Sequence, residues 1–274
     1  MSPVLPLAIP QPPVHDVMPH TAELVFNVFI FIPLGIALAI AVRHLVRGKG
    51  PLLLYCIAGG ALAATFEPVV DVLGLVYMKE AGAHTAFTVL GRSMPLYICF
   101  VYPWYVGGMG FLAYRLFRRG ITMRRLFGLW AVVGFVDVFL ELPGIIAHTY
   151  LYYGHQPLEV FGFPLWWAFV NPVMPMVAGA LMYKLIPAIG SSPWRLLAVV
   201  PLIPMADGIA NGAAAWPMWI ALNQTDVSYV WTYLAAFATL GLSLYCVWMI
   251  GLVVSPRVAV RTPTPATVPQ EVLV

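Results

Sequence analysis

The stretch YVWTYLAAFATLGLSLYCVWMIGLVV, residues 229–254, runs for 26 residues without a charged side chain. At about 1.5 Å of rise per residue, a helix of that length crosses the roughly 30 Å hydrocarbon core of a bilayer. Its only polar feature is a narrow stripe of small residues, Thr232, Thr239, Ser243 and Cys246. The rest of the chain repeats the pattern. Of 274 residues, 61% are hydrophobic and 9% charged, with a mean hydropathy of +0.88. Soluble domains carry about 25% charged residues.

Six further apolar stretches, roughly 22–43, 51–78, 94–116, 126–149, 163–186 and 195–222, are long enough to span. The expected fold is all-α, a seven-helix transmembrane bundle over 22–254. It follows a Pro-rich segment, 1–21, and precedes a disordered cytoplasmic tail, 255–274. The first residues lack a basic region before their apolar ones, so no cleaved signal peptide is expected. Cys56, Cys99 and Cys246 all fall in apolar stretches and read as small core residues. A net charge of +3 gives no reason to expect a nucleic-acid partner.

Lys and Arg set the direction. Arg43, Arg47, Lys49, Arg115, Arg118, Arg119, Arg124, Arg125, Lys184, Arg195, Arg257 and Arg261 flank one side, against Lys79 and Arg92 on the other. The N-terminus is therefore expected outside a cell membrane and the C-terminus in the cytoplasm. A covalent retinal pigment is excluded, because residues 229–254 hold no Lys for a Schiff base.

Acids recur inside these spans at a fixed spacing. Glu67 and Asp71 sit in the second span, Asp137 and Glu141 in the fourth, Glu23 and Asn27 in the first, Asp207 and Asn211 in the sixth. Each pair is spaced i, i+4 and lies on one helix face. In VDVFLELPGIIAH, residues 136–148, the stripe continues through Gly144 to His148. Counting along the helices puts Asp137 and Asp207 near the midplane, and Glu23, Asn27, Glu67, Asp71 and Glu141 in the outer half. The expectation is one shared cavity open to the outer side or the outer leaflet.

A carboxylate at the bilayer centre costs about 2.5–3.5 kcal/mol on the insertion scale. Five independent ones would cost on the order of 12–18 kcal/mol, more than the net stability of a typical domain. With no Lys or Arg expected at that depth, the acids must share protons, waters, ions or hydrogen bonds and titrate as coupled sets.

Aromatic residues crowd the same half. MPLYICFVYPWYVGG, residues 94–108, carries Tyr97, Tyr102, Trp104 and Tyr105. GFPLWWAFVN, residues 162–171, carries Trp167, Phe169 and Asn171. Some of these rings form an interfacial belt. Trp104, Tyr105, Trp167 and Phe169 lie deeper and, with Asn171, Asn211 and His148, are the expected binding residues for a hydrophobic ligand or lipid substrate. Ahead of the first span, His15, Asp16 and His20 could bind a metal together with His148 or His155, but their spacing matches no strong metal signature, and a helix-entry loop with Asp16 or Thr21 as N-cap is the leading expectation. No metal and no cofactor are assigned.

A buried Glu in the second span and a later Asp, here Glu67 and Asp207, resemble the small seven-helix membrane terpene cyclases of meroterpenoid pathways. That resemblance implies Glu67 and Asp207 as leading catalytic residues, with Asp71, Asp137 and Glu141 as further candidates. FEPVVDVLG and GFPLWWAFVN are also similar to stretches of uncharacterised actinobacterial multi-pass membrane proteins, a likeness that carries no activity. A prenyltransferase is disfavoured, since the acids are expected outside and no doubled-Asp motif is present. The leading expectation is an enzyme using carboxylic acid–base chemistry on an isoprenoid-like substrate. The alternative is a proton-coupled carrier of a small hydrophobic solute. A lipid-binding, sensing or scaffold role is the third.

Overall fold

A computed structural model describes residues 9–225 and 228–255. Residues 1–8, Asp226, Arg257, Arg261 and the expected tail beyond Ser255 lie outside the described residues. Among the described residues, seven apolar helices are long enough to cross a membrane: His20–Val46, Leu52–Gly74, Leu96–Arg118, Met123–Ile146, Leu165–Ile189, Pro193–Ala214 and Tyr229–Val254. They form one bundle, a multi-pass architecture.

Side-chain exposure follows the expectation for a lipid solvent. The first and fourth spans are the most peripheral, each 28% buried along its most apolar stretch, and the third is the most central at 56%. The outward faces are apolar, with Phe135 and Phe139 of the fourth span and Trp231 and Phe237 of the seventh exposed.

Six short strands cap the end where the even-numbered spans finish: β1 (Val76–Met78), β2 (Thr85–Val89), β3 (Arg92–Pro95), β4 (Tyr150–Tyr152), β5 (Glu159–Val160) and β6 (Phe163–Pro164). β1 pairs antiparallel with β4, β2 with β3, and β5 with β6. Three expected span boundaries change here. The second span stops at Gly74, because Leu75 turns left-handed (φ 54°) and its N–H bonds to the Asp71 carbonyl. Residues 76–78, apolar enough to read as helix, are strand. The fourth span ends at Ile146, and His148 (φ 57°) turns the chain into β4. The sixth span breaks near Ala215 and resumes as the short helix Trp216–Leu222, where Asn223 Nδ2 donates to the Leu73 carbonyl at 2.8 Å. At the first span, Pro19 precedes the helix and no side chain caps it. Asp16, expected as a cap, instead meets Lys79 at 3.4 Å.

Small residues set the closest helix crossings. A Cβ on Gly60 would lie 2.6 Å from the Pro103 Cα and the Tyr102 carbonyl. A Cβ on Gly107 would collide with the Cys56 carbonyl. Backbones of the second and third spans therefore touch, as small residues permit in membranes. The contact falls on a π-helical stretch of the third span, Pro103–Gly108, a local geometry that often marks functional sites.

Overpacking at such crossings costs about 1–3 kcal/mol. Gly60→Ala and Gly107→Ala are expected to lower the thermal unfolding midpoint in detergent. Gly128→Ala, with nothing within 4 Å of its added methyl, is expected to leave it unchanged or raise it slightly.

Candidate functional site

The i, i+4 spacing of Glu67 and Asp71, and of Asp137 and Glu141, turns each pair to one face, and the bundle points both faces into the same cavity. Its volume is about 90 Å³, room for a handful of waters. Tyr97, Tyr102 and Tyr105 of the third span form one wall, and Trp167 and Asn171 of the fifth another. Asn211 enters from the sixth span, and Phe26 and Ile30 from the first. The β1–β4 ribbon closes the strand-capped end with Val76, Met78, Tyr150 and Tyr152. Among the described residues, no Lys or Arg lines the chamber.

Buried carboxyl groups need donors. Glu67 receives the Tyr102 hydroxyl. Glu141 Oε2 receives the Tyr150 hydroxyl at 2.6 Å and the Tyr152 hydroxyl at 3.1 Å. Asn171 Nδ2 lies 3.1 Å from both carboxylate oxygens of Asp137. The Tyr105 hydroxyl lies beside Asp137 without a formed bond. Asp71 stands apart: it is 1% exposed, and neither oxygen has a hydrogen-bond partner among the described residues. Burial first, and Glu141 second, hold the Tyr150 and Tyr152 phenols well above their ordinary range. Both therefore stay protonated donors at neutral pH.

The other expected site residues fall elsewhere. Asp207 is fully buried behind the chamber wall next to Glu67, with one oxygen bonded by Asn211 Nδ2 at 2.9 Å and the other unpartnered. Trp104 packs edge-on against Tyr105 outside the cavity. Phe169 packs against Trp130, whose Nε1 donates to the Phe169 carbonyl at 3.1 Å. His148 is exposed, because the helix ends before the acidic stripe reaches it. Glu23 turns to His84, and Asn27 is buried away from the cavity, so the first span contributes Phe26 and Ile30 instead. Thr232 and Ser243 of the seventh span bond to carbonyls of their own helix.

Tyr150 and Tyr152 were not expected at the site. The signal was their period-two spacing after His148, which puts both rings on one face of a strand. Gln156 was also missed. Its Nε2 donates to the Gly74 carbonyl at 3.0 Å and its Oε1 accepts from Trp166 Nε1 at 3.3 Å, tying the ribbon to the second and fifth spans. Compared with known proteins, the chain matches no family model, no curated protein and no solved structure.

Leaving a buried acceptor without its donor costs about 1–3 kcal/mol. Asn171→Leu removes both contacts to Asp137 and is expected to destabilise by that amount in detergent-unfolding titrations. Tyr152→Phe is expected to cost less, because Tyr150 still serves Glu141.

Proposed function

We propose that the chain is an integral membrane enzyme acting on a hydrophobic, isoprenoid-like substrate by carboxylic acid–base chemistry in this chamber. The observation that carries the reading is Asp71, whose two oxygens have no donor among the described residues while Glu67, Asp137 and Glu141 are held. A group that exchanges a proton with substrate needs that freedom.

In this scheme the Asp71 carboxyl gives its proton to one carbon of an alkene, leaving a carbocation on the other. The faces of Tyr97, Tyr105 and Trp167 shelter the cation. A carboxylate, Asp71 itself or Glu67 one turn away, then takes a proton from a neighbouring carbon, and a double bond reforms. Atoms balance as an isomerisation, or as a cyclisation when a second alkene attacks the cation first. No cofactor enters the scheme. Glu67 and Asp207, the pair implied by the terpene-cyclase resemblance, act here as a donor-linked partner and a second layer behind it. With space for a handful of waters, the chamber takes the reacting end of a chain rather than a whole polyprenyl lipid. The bias of basic residues toward the opposite end of the bundle supports an exoplasmic chamber in a cell membrane.

A proton-coupled carrier is the second reading, favoured by the helix interruptions beside the acids at Ala64–Phe66 and Pro103–Gly108. Expression in isoprenoid-producing cells, with lipid extracts profiled by mass spectrometry, separates the two. The enzyme reading expects a product that depends on the wild-type chain and falls at least about 100-fold in Asp71→Asn. Identical products from wild type and Asp71→Asn overturn it. Proton-linked solute uptake in proteoliposomes, lost in Asp71→Asn, with lipid profiles unchanged, supports the carrier.

A further inference from the structure

One turn before Phe26 on the first span, three side chains that the acid–base scheme does not use come together. His20 and Glu23 stand at i, i+3 on the first turn of the first span, and His84 arrives from the loop before β2. One ligand-type atom from each lies within 4.8 Å of the other two. Glu23 is 0% exposed, whereas both histidines reach the surface.

The geometry is held from several directions. Glu23 Oε1 accepts the His84 backbone N–H at 2.7 Å, and Glu23 Oε2 lies 2.8 Å from His84 Nδ1. The His84 carbonyl accepts the Leu96 N–H at 3.0 Å, fixing the loop to the start of the third span. The Met18 N–H donates to the Ala81 carbonyl at 2.8 Å, and Lys79 pairs with Asp16, so residues 79–81 are laced to the segment that leads into His20. A Glu23–His84 ion pair accounts for two of the three groups. It leaves His20 unexplained: its ring sits 5.3 Å from the His84 ring, centre to centre, and makes no hydrogen bond among the described residues.

We propose that His20, Glu23 and His84 form a binding site for a divalent zinc-class metal ion, with a fourth position open to water or an exogenous ligand. Two imidazoles and one carboxylate are a donor set that zinc takes in sites with an open position. Tetrahedral ligands at about 2.0–2.1 Å from the ion stand roughly 3.3 Å apart, within reach of small side-chain rotations from the present spacing. The carboxylate is buried and fixed while the exposed rings leave a path for the ion. Metal binding ties the first span to the 79–95 loop, beside the chamber wall that Phe26 and Tyr97 form. The proposal does not rest on the acid–base reading.

The test uses untagged full-length protein in detergent, stripped by chelator and titrated with Co²⁺, then with Zn²⁺ in competition. The expected result is one Co²⁺ per chain, with the visible absorption of a four- or five-coordinate ion, displaced stoichiometrically by Zn²⁺. His20→Ala is the decisive variant, since its ring is exposed and carries no hydrogen bond that folding needs. His20→Ala and His84→Ala are each expected to weaken binding at least tenfold, and His155→Ala to leave it unchanged. Absence of saturable Co²⁺ binding, or binding that His20→Ala and His84→Ala do not alter, overturns the site.

Discussion

An ionisable carboxyl group inside an apolar bundle must find hydrogen-bond donors there, because neither lipid nor a neighbouring cation supplies them. Four such groups converge in this protein, and among the described residues no Lys or Arg lines their chamber. The donors are neutral: phenols from the third span and from β4, and a carboxamide from the fifth span. This choice has a consequence for energetics. A neutral donor does not lock a carboxyl into its charged form as an arginine would. Asp71 has no donor among the described residues, and in the proposed scheme it is the point of exchange with a ligand.

The backbone is shaped to make this convergence possible. Glycines at positions 60 and 107 let the second and third spans touch, which brings Tyr102 to Glu67. A tighter turn at Ala64–Phe66 precedes Glu67, and the π-helical stretch around Tyr105 re-aims the third span's side chains. The left-handed Leu75 then ends the second span early enough for β1 to fold over the acids and pair with β4. A bulky residue in that conformation is uncommon and carries strain, which the ribbon's ladder and the Gln156 bridge offset. The roof of the chamber and the donors to Glu141 are thus the same short strand.

Much of this architecture was legible in the sequence, because hydropathy over about 20 residues reports spans and i, i+4 spacing reports shared faces. The convergence of Glu67, Asp71, Asp137 and Glu141, with Tyr105, Trp167, Asn171 and Asn211 around them, follows from those two periodicities. Other features were hidden for physical reasons. Hydropathy cannot tell residues 76–78 in a buried strand from three more residues of a lipid-facing helix, since both are apolar. A helix face has a direction only once its neighbours are placed, so Glu23, Asn27 and Asp207 shared the spacing of the chamber acids without sharing their cavity. Phe169 and Trp104 had the right depth and pointed elsewhere. His148 lay on the extrapolated stripe, but the helix stops two residues short of it. His84, far from His20 in sequence, joins it only through the packing of the 79–95 loop.

The central claim is that the acids of the second and fourth spans share one site. A double-mutant cycle on Glu67→Gln and Glu141→Gln, read as unfolding free energy in mixed micelles, tests it most directly. A shared chamber gives a coupling of about 0.5–3 kcal/mol between the two substitutions. Additivity within about 0.3–0.5 kcal/mol would place the two acids in separate environments and contradict the account.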